Sequence, residues 1–203
     1  MTATAPSFVG PAIDDISLLD RLPDFLVNQL NEANGYVAFG GGLHVRGACK
    51  EPVWHSLRAA LDGPLSFHKL YAGIEPSDLP FAEDCMGDQF LLRDGQVLRL
   101  AAETGEIEAV ASSFAAFMAE VERAPLEVLQ MHPLLQFQNE GGALLPGELL
   151  SAYPPFFAVQ SGERVSLRAI PSIDRRSFLA DVAAQVRDVP DGGWVRFEVK
   201  RNA

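Results

Sequence analysis

The chain contains little cysteine. Among its 203 residues only Cys49 and Cys85 occur, and their spacing matches no zinc-binding or redox motif. Two cysteines are too few for a disulfide scaffold. A reactive thiol would need an activating neighbour, and no local feature of the sequence supplies one. Both cysteines are therefore expected to be buried as small apolar residues.

Long apolar runs are also missing. No uncharged stretch approaches the length that a membrane-spanning helix needs. Residues 1–11 lack the basic region and the following apolar run of a signal peptide. The apolar fraction of 48% nevertheless predicts a folded chain with a hydrophobic core. The predicted location is the cytoplasm.

Positive charge is scarce, and the shortage is uneven. The formal net charge is −11, which argues against nucleic acid and against an anionic membrane as partners. Residues 1–122 hold 18 Asp and Glu against 7 Lys and Arg, whereas residues 123–203 hold nine of each. This break predicts two units with a boundary near residues 123–125. The acidic surplus suits a basic protein partner, although solubility alone is the competing explanation.

Residues with catalytic or metal-binding chemistry form no recognisable motif. The four histidines, at positions 44, 55, 68 and 132, show neither a His-Glu-x-x-His pair nor a Cys/His cluster with metal spacing. Gly40-Gly41-Gly42 follows a predicted strand, but the Lys-Ser/Thr of a P-loop is absent, so a packed or flexible turn is favoured. We predict no catalytic residue, no cofactor and no metal ligand. Carboxylates paired only in space stay open, because one sequence does not reveal them.

Three acids, Glu83, Asp84 and Asp88, cluster before a predicted hairpin. Carboxylates of this density could bind a hard cation. They do not follow the alternation of a calcium-binding loop, so a solvated acidic loop is the favoured interpretation.

Apolar periodicity and turn residues predict an α+β fold. After a flexible arm (residues 1–12) we expect a helix from Leu22 to Ala33 and two short strands around Gly40-Gly41-Gly42. A further helix with Val53, Trp54, Leu57 and Leu61 on one face follows. The predicted meander has strands at residues 90–92, 97–100 and 107–110, with turns at Asp94-Gly95 and Glu103–Glu106, and a helix after Ser112 or Ser113. Residues 123–203 are predicted to form a smaller ββαβ unit, with strands at 156–160, 165–170 and 195–199 and a helix from Ser172 or Asp174.

Several of these features occur in a characteristic order. Leu22-Pro23 precedes the first helix and Asn34-Gly35 follows it. The segment from Phe81 to Phe90 matches a "fa.d..Gd.f.l" pattern, and a valine strand and an acidic turn come next. The order closes with Ser113-Phe114-Ala115-Ala116-Phe117. In these features the chain resembles the SUKH superfamily over about 100 residues, roughly 20 to 122, within a domain predicted to span residues 13–122.

The resemblance implies an antiparallel sheet flanked by helices and no catalytic residues. Many bacterial relatives are immunity proteins that neutralise toxins, often nucleases or deaminases, by direct binding. The resemblance therefore predicts a non-enzymatic module that binds a basic cognate protein toxin. The acids expected at the partner surface are Glu83, Asp84, Asp88, Asp94, Glu103, Glu106 and Glu108. Two alternatives stay open: a regulatory or scaffolding protein without a toxin partner, and an enzyme or small-molecule binder whose site is assembled from distant residues.

Overall fold

Seven antiparallel strands follow one another across a sheet in their chain order. The computed structural model describes residues 5–156, 165–190 and 193. In this sheet the strands are β1 (Phe8–Val9), β2 (Tyr36–Ala38), β3 (Leu43–Val45), β4 (Leu79–Asp84), β5 (Gln89–Arg93), β6 (Gln96–Leu100) and β7 (Ile107–Ala111). A second sheet pairs β8 (Glu148–Tyr153) with β9 (Ser166–Pro171).

Helices flank the large sheet, so the predicted α+β class with an antiparallel sheet is confirmed. They are α1 (Ile16–Leu19), α2 (Asp24–Glu32), α3 (Leu57–Asp62), α4 (Phe67–Leu70), α5 (Phe114–Arg123), α6 (Pro125–Val128), α7 (His132–Asn139) and α8 (Ser172–Val186), with one 3-10 turn at Phe39–Gly41. Among the described residues, no helix has both the length and the apolar composition needed to cross a membrane.

The predicted meander is present as β5, β6 and β7. Asp94 and Gly95 join β5 to β6 with φ angles of 49° and 81°, the left-handed conformation that a two-residue hairpin turn requires. Ser113 caps α5, because its side-chain oxygen accepts a hydrogen bond from the backbone N–H of Ala116 at 3.1 Å. Local turn and cap chemistry therefore determines this part of the fold.

Three elements differ from the sequence predictions. In place of a loose arm, Phe8–Val9 pairs with β2, because Phe8 packs against Trp54 and His55. The third helix begins only at Leu57, after a Ser56 cap, so Val53 and Trp54 precede it. Strand β8 lies earlier than the strand predicted at residues 156–160. Residues 157–160 and 195–199, including the predicted last strand, lie outside the described residues.

The large sheet has an apolar core on each face. On the first face, residues such as Phe81 and Phe90 pack against Phe117 of α5 and the leucines of α2. This core also contains Leu129, Leu134 and Leu150, which follow the predicted boundary at residue 123. The second face packs part of its surface against α4 and α8, with a core of Leu91, Leu98, Leu100, Phe67, Tyr71, Ile74, Ala180 and Ala183. Another part of the second face is polar and adjoins Val37 of β2.

Candidate functional site

Buried charged side chains occupy the polar part of the second sheet face. Strand alternation places Leu43 and Val45 in the first core, so the intervening His44 and the following Arg46 point to the opposite face. Glu83 of β4 and Gln89 of β5 lie beside them across the ladder. Together with His55 and Arg176 of α8 they form a group that we name the Glu83 cluster.

Glu83 is the centre of the Glu83 cluster, and its side chain is 1% exposed. Its Oε2 accepts hydrogen bonds from Arg46 Nη2 and Arg176 Nε, both at 2.9 Å, and from Gln89 Nε2 at 3.1 Å. Its Oε1 contacts Arg176 Nη2 and lies 2.9 Å from His44 Nδ1. Burial alone would raise the pKa of Glu83, but the charges of Arg176 and Arg46 and the His44 bond hold that pKa well below its usual range. The carboxylate is therefore ionised at neutral pH.

Two adjacent arginines of α8, Arg175 and Arg176, form hydrogen bonds with β4, with β8 and with the turn after β6. Arg176 also donates through Nη2 to the backbone carbonyl of Trp54 at 3.2 Å. Arg175 donates through Nη2 to Glu103 Oε1 at 3.2 Å and through Nη1 to Ser151 Oγ at 3.4 Å. Charge pairs to Glu83 and Glu103 therefore join α8 to residues 1–122, beside the apolar packing of Ala180 and Ala183.

The two histidines form a chain of short contacts. His44 Nε2 lies 2.8 Å from His55 Nδ1, and His55 Nε2 lies 2.9 Å from the carbonyl oxygen of Asn34. With the Glu83 contact there are three links, each needing one proton, whereas two neutral imidazoles carry only two. A third proton would complete the chain but would add a cation beside Arg46 and Arg176. Burial lowers the pKa of His44 to about 4, although the hydrogen bond with Glu83 opposes this shift. Burial also lowers the pKa of His55.

The Glu83 cluster does not have the geometry of a hydrolytic triad. A cavity of about 10 Å³ is bordered by His44, Glu83 and Ser172. The Ser172 hydroxyl has no hydrogen-bond partner among the described residues. In a triad, the histidine nitrogen that faces away from the acid contacts the serine hydroxyl. Here that nitrogen is His44 Nε2, and it contacts His55 instead of Ser172. The cavity has room for about one water molecule and none for a substrate.

A second group of charges lies at the turn between β4 and β5. Asp84 Oδ1 accepts the backbone N–H groups of Met86, Gly87 and Asp88 at 2.8, 3.0 and 3.1 Å. Arg99 pairs with Asp88 and lies 3.5 Å from Asp84. These acids organise the turn rather than coordinate an ion. In the described part of the chain, no group of three or more His, Cys, Asp and Glu side chains could hold a metal ion.

The seven acids predicted at a partner surface separate into three groups by burial. The predicted solvated loop is wrong for Glu83 and Asp84, which are each 1% exposed. Asp88 and Glu103 are partly buried and pair with Arg99 and Arg175. Asp94, Glu106 and Glu108 are exposed, and they stay candidates for partner contacts.

No motif in the sequence indicates the Glu83 cluster. His44 and His55 belong to no sequence motif, yet the structure brings their rings together. The alternation of Leu43, His44, Val45 and Arg46 does indicate a polar strand face. It does not indicate that α8 covers this face, because Arg176 is 93 residues from Glu83 in the chain.

Comparison with known proteins gives a structural likeness without a family. No family model matches the chain, and no curated protein matches it. The chain is similar to a solved structure described as Atu4351 from Agrobacterium tumefaciens. The alignment has a TM-score of 0.51 and 12% identity, and it covers 88% of this chain and 83% of that one. At this identity the likeness concerns the fold alone.

Proposed function

We propose that this protein is a non-enzymatic immunity protein that binds and neutralises a basic protein toxin in the cytoplasm. The observation that carries the proposal is the pairing of the arginines in residues 1–122. Each of the five has an acidic partner from the same part of the chain: Arg21 with Asp62, Arg46 with Glu83, Arg58 with Asp15, Arg93 with Asp78 and Arg99 with Asp88. The acidic surplus is therefore not offset by free arginines.

The surplus is presented to solvent. Exposed acids without an ion-pair partner among the described residues include Asp20, Asp24, Asp94, Glu106 and Glu108. A toxin that acts on nucleic acid must be basic to hold its substrate. An acidic inhibitor can occupy the same surface, and opposite charges accelerate the encounter. The resemblance to the SUKH superfamily agrees with this role.

Co-expression with the product of the adjacent gene tests the proposal. We expect that product to stop growth when it is expressed alone. Growth should be restored by this protein, and the two chains should copurify as a stable complex. A toxic neighbour that this protein neither binds nor neutralises would overturn the proposal. A stable complex with a harmless neighbour would instead favour a regulatory or scaffolding role.

Charge reversal tests the electrostatic part separately. Glu106→Lys with Glu108→Lys should lower the association rate constant by about tenfold at low salt and much less at high salt. Glu127→Lys with Asp181→Lys changes the net charge equally at exposed positions elsewhere and serves as the matched control. Equal rates for the two double variants would show that overall charge, and not this surface, drives association.

A further inference from the structure

A groove of about 420 Å³ lies between the start of α2, the end of α3 and the β5–β6 turn. Its apolar walls are formed by Pro23, Phe25, Leu61, Pro76, Leu79 and Leu92. We name it the Phe25 groove, because the Phe25 side chain is 43% exposed there. The Phe25 ring rests on Phe114 of α5, with ring centroids 5.4 Å apart, so the exposed aromatic surface has a fixed support.

Acidic residues surround the Phe25 groove. The residues that line it, together with their immediate neighbours in the chain, include six acids and two arginines, for a net charge of −4. The acids are Asp20, Asp24, Asp62, Glu75, Asp78 and Asp94. Both arginines already have partners, because Arg21 pairs with Asp62 and Arg93 pairs with Asp78. Asp94 lines the groove and Asp24 lies between two lining residues in the chain; both are exposed and neither forms an ion pair with a described residue.

We propose that the Phe25 groove docks a protruding segment of a partner protein in which an apolar side chain is flanked by Lys or Arg. The apolar walls accept the side chain, and Asp24 and Asp94 pair with the flanking cations. Aromatic side chains, Phe included, are enriched in protein interfaces, and the rim of such interfaces is polar. The polar lining groups of Arg21, Ser77 and Asp94 are exposed, so they offer no buried contact to orient a small molecule. The identification of the partner as a toxin rests on the proposed immunity function.

Substitutions at exposed positions remove each feature of the groove. Asp94→Asn deletes a charge and retains a residue that accepts the left-handed turn conformation. Asp24→Asn deletes a charge at the first residue of α2. Phe25→Ala deletes the aromatic anchor. Leu145→Ala truncates an apolar side chain that is 61% exposed outside the groove and is the matched control.

A random peptide library displayed on phage, selected against the full chain, tests the groove without any toxin. Selected peptides should place an apolar residue beside Lys or Arg. Phe25→Ala should weaken their binding about 30-fold, and the double Asn variant about fivefold at low salt. Leu145→Ala should bind them normally. Acid-rich peptides, peptides insensitive to Phe25→Ala, or no enrichment at all would each overturn the proposal.

The growth assay with the adjacent-gene product then separates the two proposals. Protection by the wild type that is lost in the Phe25, Asp24 and Asp94 triple variant supports both. If wild type and triple variant protect equally, the groove proposal fails and the immunity function stands. If the wild type neither protects nor binds, the immunity function fails, and the peptide selection alone decides whether the groove docks a basic segment.

Discussion

Replacing Glu83 with glutamine removes the one negative charge that lies between Arg46 and Arg176. Breaking a buried ion pair by removing one partner costs about 3–5 kcal/mol, because the remaining charge is left uncompensated. Glu83→Gln leaves two buried guanidinium groups in this state, so we expect about 5 kcal/mol. Arg176→Met leaves Glu83 with Arg46 and His44, so about 3 kcal/mol is expected.

The double variant distinguishes a direct pair from two independent defects. When Glu83→Gln and Arg176→Met are combined, the second change removes one of the cations that the first left unpaired. The combined loss should therefore be smaller than the sum of the two single losses by about 2 kcal/mol. The measurement is the free energy of unfolding from urea titrations followed by far-ultraviolet circular dichroism.

An exposed ion pair provides the control. Glu120 and Arg123 of α5 pair on the surface, and Glu120→Gln with Arg123→Met should leave the urea midpoint nearly unchanged. Additive losses at Glu83 and Arg176 would refute the direct coupling. A Glu83→Gln variant as stable as the wild type would refute the assignment of Glu83 as a buried carboxylate between two cations.

Three further predictions concern titration, thiol reactivity and capping. Burial lowers the pKa of His44 from 6.5 to about 4, so the unfolded chain binds more protons between these values. Acidification from pH 7 to pH 4 should remove about 3 kcal/mol of stability through this group, and His44→Gln should flatten the dependence of the urea midpoint on pH in this window. Burial also raises the pKa of Cys49 to about 11 and that of Cys85 well above its usual range. A thiol reagent at neutral pH should label neither cysteine in the native protein and both in urea; rapid native labelling would contradict their burial. Ser113→Ala removes the cap of α5 and should cost about 1 kcal/mol in urea unfolding, whereas an unchanged midpoint would show that the cap contributes nothing.

Local chemistry made the β5–β7 region and α5 predictable. Asp94-Gly95 has only a small set of favourable turn conformations. Because apolar strand patterns lie on both sides of it, this turn predicts a hairpin. Ser113 marks the start of α5 because its hydroxyl accepts a backbone N–H at the first helical turn. These signals involve residues that are close together in the chain, so the sequence alone is enough to predict the elements that they define.

Strand β8 was not predicted because its apolar pattern does not alternate. Leu149 and Leu150 are adjacent and both buried, so the segment lacks the period of two that marks a half-buried strand. Its pairing with β9 also joins residues on opposite sides of the undescribed residues 157–164. The pairing partner, not the local sequence, determines this strand.

The prediction that Glu83 and Asp84 lie in a solvated loop is wrong for a similar reason. Sequence patterns assign Glu and Asp to the surface, because an unpaired carboxylate is very costly to bury. Glu83 is buried because Arg46 and Arg176, 37 and 93 residues away in the chain, supply the compensating charges. Contacts between residues this far apart in the chain are determined by the tertiary fold. The sequence around each residue does not indicate its partner.

The internal ion pairs also connect the fold to the proposed binding role. Each arginine of residues 1–122 is matched by an acid of the same residues, so these pairs contribute little to the net charge of −11. Exposed acids such as Asp94 and Glu106 must therefore account for the surplus. Substitutions at Glu83 should change stability through the loss of buried pairing, whereas substitutions at Asp94 should change association and its salt dependence. If Asp94→Asn lowered stability as much as Glu83→Gln did, the two sets of acids would not be separate, and the surface charge could not be assigned to partner binding.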